Sequence, residues 1–207
     1  MNSKERFIQN CSQFSKDQSI IANLWSEIES KYSEKGRYYH NLEHLENMFL
    51  ELDSVQNKTQ NLTNISFSVF YHDVIYDATS KSNEEKSAEF AEISLKKLNI
   101  DPESIEKISE QIIATKFHHK SDDNDINYLL DADLSILGKD WETYFDYTQK
   151  IRKEYSIYPD LLYKPGRKKV LKHFLELENI FKTDYFKEKY EMRARKNILF
   201  EIERLEL

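Results

Sequence analysis

Three glycines and three prolines in 207 residues leave this chain little material for tight turns. An all-β fold of this length would need many more such punctuators, so the sequence predicts long helices and an all-α fold. Aromatic residues make up 13% of the chain, enough to fill a helical core. At this length one domain spanning residues 1–207 is expected, with enough chain to bury a sizeable core. Residues 4–34 read as one or two helices, with Phe7, Ile20, Ile21, Leu24, Trp25 and Ile28 forming an apolar stripe. Gly36 breaks that pattern. Asn41 is an N-cap candidate for a helix running through Leu45, Met48, Phe49 and Leu52, which puts His40 just before the helix and His44 in its first turn. Asn83 to Leu98 reads as a further helix, and Asp101-Pro102-Glu103 as the start of the next. Ser121 to Asn127, SDDNDIN, reads as a polar loop; its aspartates hint at calcium, but the glycine and closing glutamate of an EF-hand loop are missing. Helices are expected at 140–156, about 166–181 and 184–206, with Pro159, Pro165 and Gly166 punctuating between them.

The formal charge of −7 speaks against nucleic acid as a partner, since binding a polyanion calls for a basic face. The lone Cys11 excludes an internal disulfide and fits a reducing compartment. The N-terminal MNSKERFIQNCSQF lacks the apolar core of a signal peptide, and no run approaches the ~18 apolar residues of a membrane span. A cytoplasmic protein is expected, with no membrane partner; homo-oligomerisation stays open.

The chemistry concentrates in three segments. Ile65 to Asp77, ISFSVFYHDVIYD, sets His72 and Asp73 side by side in an apolar run, where an uncompensated charge is costly. A hydrogen-bonded core pair would satisfy them, and so would a shared cation. Upstream, RYYHNLEH carries His40 and His44 four residues apart, on one face of a helix. Downstream, LLDADLSIL carries Asp131 and Asp133. Imidazoles and carboxylates from three segments make a mixed nitrogen and oxygen set suited to a divalent cation such as Mn, Mg, Zn, Ni, Co or Fe. Fewer than four protein ligands would leave a coordination position open for chemistry.

The order His44, His72-Asp73, Asp133 resembles the H…HD…D signature of the HD-domain metal-dependent phosphohydrolases. YHNLEH (Tyr39 to His44) and ADLS (Ala132 to Ser135) are similar to segments of the cyclic nucleotide phosphodiesterases within that superfamily. Together with NEEKSA, ATKFHH, IRKEY and GRKKVL, they resemble an uncharacterised family of predicted HD phosphohydrolases, from about Trp25 to Leu205. The resemblance implies an HD-type helical bundle with His44, His72, Asp73 and Asp133 as metal ligands, Asp73 thereby counting in the catalytic centre. ADLS favours Asp133 over Asp131. His40 matches the phosphodiesterase histidine implied to act as general acid.

The resemblance also bears on Ile65 to Asp77. Ile65, Phe67, Val69 and Tyr71 alternate as in a strand, yet no partner strand is visible and apolar residues on every side suit a buried helix. With the resemblance added, a helix is expected. Around the ligands, Glu84 of NEEKSA could accept a hydrogen bond from water at the cation or simply cap its helix. His118 could line the pocket, bind phosphate or recruit a second metal. Arg37, Arg152 and Arg167 lie in resembling segments, and guanidinium forks match phosphate oxygens. The GRKK stretch from Gly166 reads as a helix N-terminus able to hold an anion beside Arg167. The expected function is hydrolysis of a phosphate mono- or diester, a nucleotide or similar small molecule, by a metal-activated water with His40 protonating the leaving oxygen. The alternatives are a non-catalytic, metal-containing ligand sensor or interaction module, and a di-iron oxygenase using His118.

Overall fold

Helix α1 (Ser3–Cys11) begins at a capping box: the Asn2 side chain accepts from the Glu5 amide, and the Glu5 carboxylate accepts from the Asn2 amide. The computed structural model describes residues 1–206, and these are all-α. Asp17 caps α2 (Gln18–Tyr32) through the Ser19 and Ile20 amides. Asn41 caps α3 (Leu42–Asp53) through the Glu43 amide, as its sequence position predicts.

The stretch that alternates like a strand is α4 (Leu62–Tyr71). Its polar residues explain how. Ser66 donates to the Leu62 carbonyl and Ser68 to the Asn64 carbonyl one turn back, so both hydroxyls are satisfied inside the helix. Ser68 also donates to Gln111 Oε1 at 2.6 Å. With the serines compensated, Ile65, Phe67, Val69, Phe70 and Tyr71 are buried all round the helix. Then come α5 (Asn83–Lys96), α6 (Pro102–Ala114) capped by Asp101, and α7 (Asn124–Leu134).

The chain forms two compact units, Met1–Leu129 and the part from Leu130 onward; the division falls inside α7, which is one continuous helix. In the first unit α5 packs along α6, α6 against α4, and α1 and α3 against α4. Phe70 is the aromatic hub, 5.1 Å from Phe7 and 4.9 Å from Phe49 between ring centroids. The second unit contains a 3₁₀ turn (Ser135–Gly138), α8 (Trp141–Glu154), α9 (Asp160–Glu176), α10 (Asp184–Phe186), a π turn (Lys187–Glu191) and α11 (Met192–Glu206). There α11 packs on α9 and on the 3₁₀ turn, where the Asn197 amide donates to the carbonyls of Leu137 and Lys139. Gly138 lets the π turn approach closely as well: a Cβ on it would come within 2.7 Å of Tyr190 Cδ1 and nearer still to its Cβ.

Two sequence expectations need correction. SDDNDIN is loop only as far as Asp123, because Asn124 begins α7. Asp125 is buried, and its carboxylate accepts from the Gln60 and Asn61 amides at 2.8 and 2.7 Å, so its oxygens serve the fold rather than a calcium loop. Likewise α9 starts at Asp160 and runs through Pro165 and Gly166, both exposed, anchored by buried Tyr163 and Leu171. Proline forfeits one amide bond there, which the rest of a long helix tolerates. GRKK is therefore mid-helix and offers no free N-terminal amides to an anion. Among the described residues no helix is long and apolar enough to cross a membrane.

Candidate metal centre

Local structure delivers the histidines. The Asn41 cap fixes the start of α3, so His44 enters its first turn and is 3% exposed. His72 stands at the C-cap of α4, 1% exposed. Its Nδ1 lies 3.0 Å from the Val69 carbonyl, an acceptor, which assigns the ring proton to Nδ1 and leaves the Nε2 lone pair facing the site. His44 Nε2 and His72 Nε2 are 3.3 Å apart. Two ligand bonds of about 2.1 Å meeting at a right or tetrahedral angle span roughly 3.0–3.4 Å, so the spacing suits nitrogens sharing one cation. Asp73 Oδ2 is 3.2 Å from His72 Nε2, and the Asp73 side chain keeps 16% of its exposure. Asp133 stands in the last turn of α7; His44, His72 and Asp133 offer ligand atoms within 4.8 Å of one another, a group that could hold a metal ion.

Aromatic rings and one guanidinium frame the histidine segments. His40 stacks on Tyr76 with ring centroids 4.2 Å apart and 28° between planes, and its Nε2 is 3.9 Å from Asp73 Oδ2. Tyr39 leans on the His44 ring at 4.8 Å. Arg37, whose side chain is 3% exposed, donates from Nη1 to the carbonyls of His40 (3.2 Å) and Asp73 (2.7 Å), and from Nη2 to that of Val74 (2.9 Å). The arginine expected to grip a phosphate thus ties the loop before α3 to the loop after α4.

The other predicted site residues are placed as follows. Glu84 is half-buried in the first turn of α5, beside Asn83 and Ser87, which bond the backbone of Asp77 and Ile75. His118 is half-buried just after α6 with φ of 51°, a left-handed conformation that costs a side-chain-bearing residue about 1–2 kcal/mol. Arg152 spends its donors on Asp160 and on the carbonyls of Tyr155 and Tyr158. Arg167 forms a fork with buried Glu201, at 2.7 and 3.1 Å, and donates to the Tyr147 hydroxyl. Asp131 accepts from the amides of Lys182 and Thr183 and from the Thr183 hydroxyl, so Asp133 is the aspartate of this pair that joins the histidines. Burial raises the Asp131 pKa above the usual carboxylate value, against the pull of those three bonds.

Sequence reasoning does not single out Tyr76 and Tyr39, the rings beside His40 and His44. Both lie inside HDVIYD and YHNLEH, where an aromatic residue close to a histidine is a candidate for stacking. A groove of about 1000 Å³ runs along α9, edged by Lys164, Lys168, Lys169 and Lys172, and none of the predicted ligands lines it. The chain matches no protein-family model, no curated protein and no solved structure.

Proposed function

We propose that this chain is an HD-type metal-dependent phosphohydrolase that cleaves a phosphate mono- or diester of a nucleotide or similar small molecule. The observation that supports it best is the pair of buried imidazoles with Nε2 atoms 3.3 Å apart, with carboxylate oxygens of Asp73 and Asp133 close by. The two Nε2 atoms face each other, a spacing that suits a shared cation.

His44, His72, Asp73 and Asp133 would hold the ion. A divalent cation supplies Lewis acidity toward a phosphoryl oxygen and acidifies water to a pKa near ~7. His40 is the proton donor to the leaving oxygen, a step worth roughly 10²–10⁴-fold. Its imidazole is half-buried, and Tyr76 on its face fixes the plane of the ring. Arg37 holds the backbone on which His40 and Asp73 are carried, so the donor and the carboxylate keep a constant separation. Glu84 makes no hydrogen bond or ion pair among the described residues, which leaves its carboxylate available to orient water. The burial of both imidazoles keeps bulk water from competing there.

The decisive experiment strips the protein of metal, reloads it separately with Mn, Co, Ni, Mg, Zn and Fe, and follows phosphate release from a panel of nucleotides and small phosphate esters. Turnover that requires metal and disappears in Asp73→Ala supports the proposal. Metal binding without turnover across the panel would replace it with the sensor reading, and iron-dependent oxygen uptake with the oxygenase reading.

A further inference from the structure

Lys164 to His173, KPGRKKVLKH, contains no acid, in a chain whose formal charge is −7. The run lies in α9, where Arg167 turns inward to Glu201. Its lysines edge the groove of about 1000 Å³ along α9, whose lining residues all belong to the second unit.

Helical period sorts these residues into two neighbouring rows. Lys164, Lys168 and Lys172 stand four apart in one, and Leu161, Pro165 and Lys169 in the other. Lys168 pairs with Glu206 of α11 at 2.9 Å, while Lys164, Lys169 and Lys172 make no hydrogen bond or ion pair among the described residues. Leu161 is 84% exposed, and Leu205 of α11 also lines the groove. Asp160, four residues before Lys164, and Glu176, four after Lys172, close the cationic row at both ends. A long polyanion or a flat anionic surface would bring its charge against those acids, whereas a short segment fits between them. Four residues along a helix advance about 6.0 Å, and alternate residues of an extended chain about 6.6 Å. Carboxylates at every second position of an extended peptide therefore keep pace with the three lysines. Leu161, Pro165 and Leu205 offer apolar cover to an aliphatic residue of the same segment.

We propose that this groove docks an extended acidic segment of a partner protein, with alternate carboxylates on Lys164, Lys168 and Lys172 and an aliphatic side chain against Leu161. The proposal is independent of the metal centre.

The probe is a fluorescent peptide, Glu-Leu-Glu-Ala-Glu-Leu-Glu, titrated with the full chain by anisotropy beside its counterpart with Gln for every Glu. Binding of the acidic peptide alone is expected, weakening as salt is raised. Lys164→Glu/Lys172→Glu should raise its Kd at least ~10-fold. Leu161→Ser should raise it by ~3-fold or more with the salt dependence kept. The same charge change elsewhere, Lys35→Glu/Lys120→Glu, should leave affinity within about twofold, as expected of screened distant charges. Should the groove reversal fail to fold, Lys164→Gln/Lys172→Gln carries the test, with a loss of ~3-fold or more expected. No binding, equal binding of the two peptides, an equal loss in the distant pair, or full affinity in Leu161→Ser would overturn the proposal. Co-sedimentation with phosphatidylserine vesicles in the absence of peptide binding would replace it with a membrane-facing surface.

Discussion

Arg167 offers a sharp division between a substrate clamp and a fold-holding ion pair. Its side chain is 10% exposed and that of Glu201 7%, and the fork has N–O distances of 2.7 and 3.1 Å. Glu201 also accepts from the Tyr144 hydroxyl, while Arg167 Nη2 donates to the Tyr147 hydroxyl at 3.3 Å. In Arg167→Met the carboxylate stays buried with Tyr144 as its remaining donor, and breaking one side of a buried pair costs about 3–5 kcal/mol. At about 2–4 °C per kcal/mol for a chain of this size, the melting temperature should drop by roughly 6–20 °C. Adding Glu201→Leu removes the stranded charge and should recover much of that loss, leaving the orphaned Tyr144 hydroxyl at about 1–3 kcal/mol. Urea unfolding of the wild type, both single variants and the double variant closes the cycle, with a coupling of roughly 2 kcal/mol or more expected. A loss below about 1 kcal/mol in Arg167→Met, or strict additivity in the cycle, would refute the reasoning. If turnover then collapsed with stability intact, Arg167 would be a clamp after all.

Three further outcomes are expected. Manganese at about 100 times its dissociation constant should stabilise the protein by ~2.7 kcal/mol, or roughly 5–11 °C. The gain should vanish in His72→Ala; an equal thermal shift in the variant would remove His72 from the ligand set. Gly138→Ala should cost about 1–3 kcal/mol in urea unfolding because the new methyl collides with Tyr190; an unchanged midpoint would show that the ring yields freely. Burial pushes the Cys11 thiol up to about 12. A folded pKa above the unfolded one leaves stability intact below pH ~8.5 and removes it at up to ~1.4 kcal/mol per unit as pH rises through that window. The difference in stability between wild type and Cys11→Ala should therefore narrow from pH 8 to pH 10, and a constant difference would contradict the burial argument.

The helices were legible wherever a local signal suffices. Asn41 and Asp101 are caps whose partners lie two or three residues away, so their sequence neighbourhood contains the whole interaction. The strand-like rhythm of α4 arises because its alternate positions include serines, and a serine in a helix can return its hydroxyl to a carbonyl four residues back. Pro165 misled in the opposite direction: a local breaker is overridden when Tyr163 and Leu171 bury on either side of it. Asp125 shows the same limit, since the amides that occupy its carboxylate belong to Gln60 and Asn61.

The site divides along the same line, between what a residue can do and what it is already doing. Spacing shows that His44 enters the first turn of its helix and that His72 and Asp73 need compensation, because those facts depend on residue type and capping pattern; His40 precedes the Asn41 cap, so it shares no helix face with His44. It cannot show whether a guanidinium is available, because the acceptors that occupy it come from remote sequence. Arg37 is engaged by carbonyls 36 and 37 residues further on, and Arg167 by a carboxylate 34 residues further on. Each arginine has the right chemistry for phosphate, and each has donors drawn into the fold by acceptors that its own sequence neighbourhood does not announce.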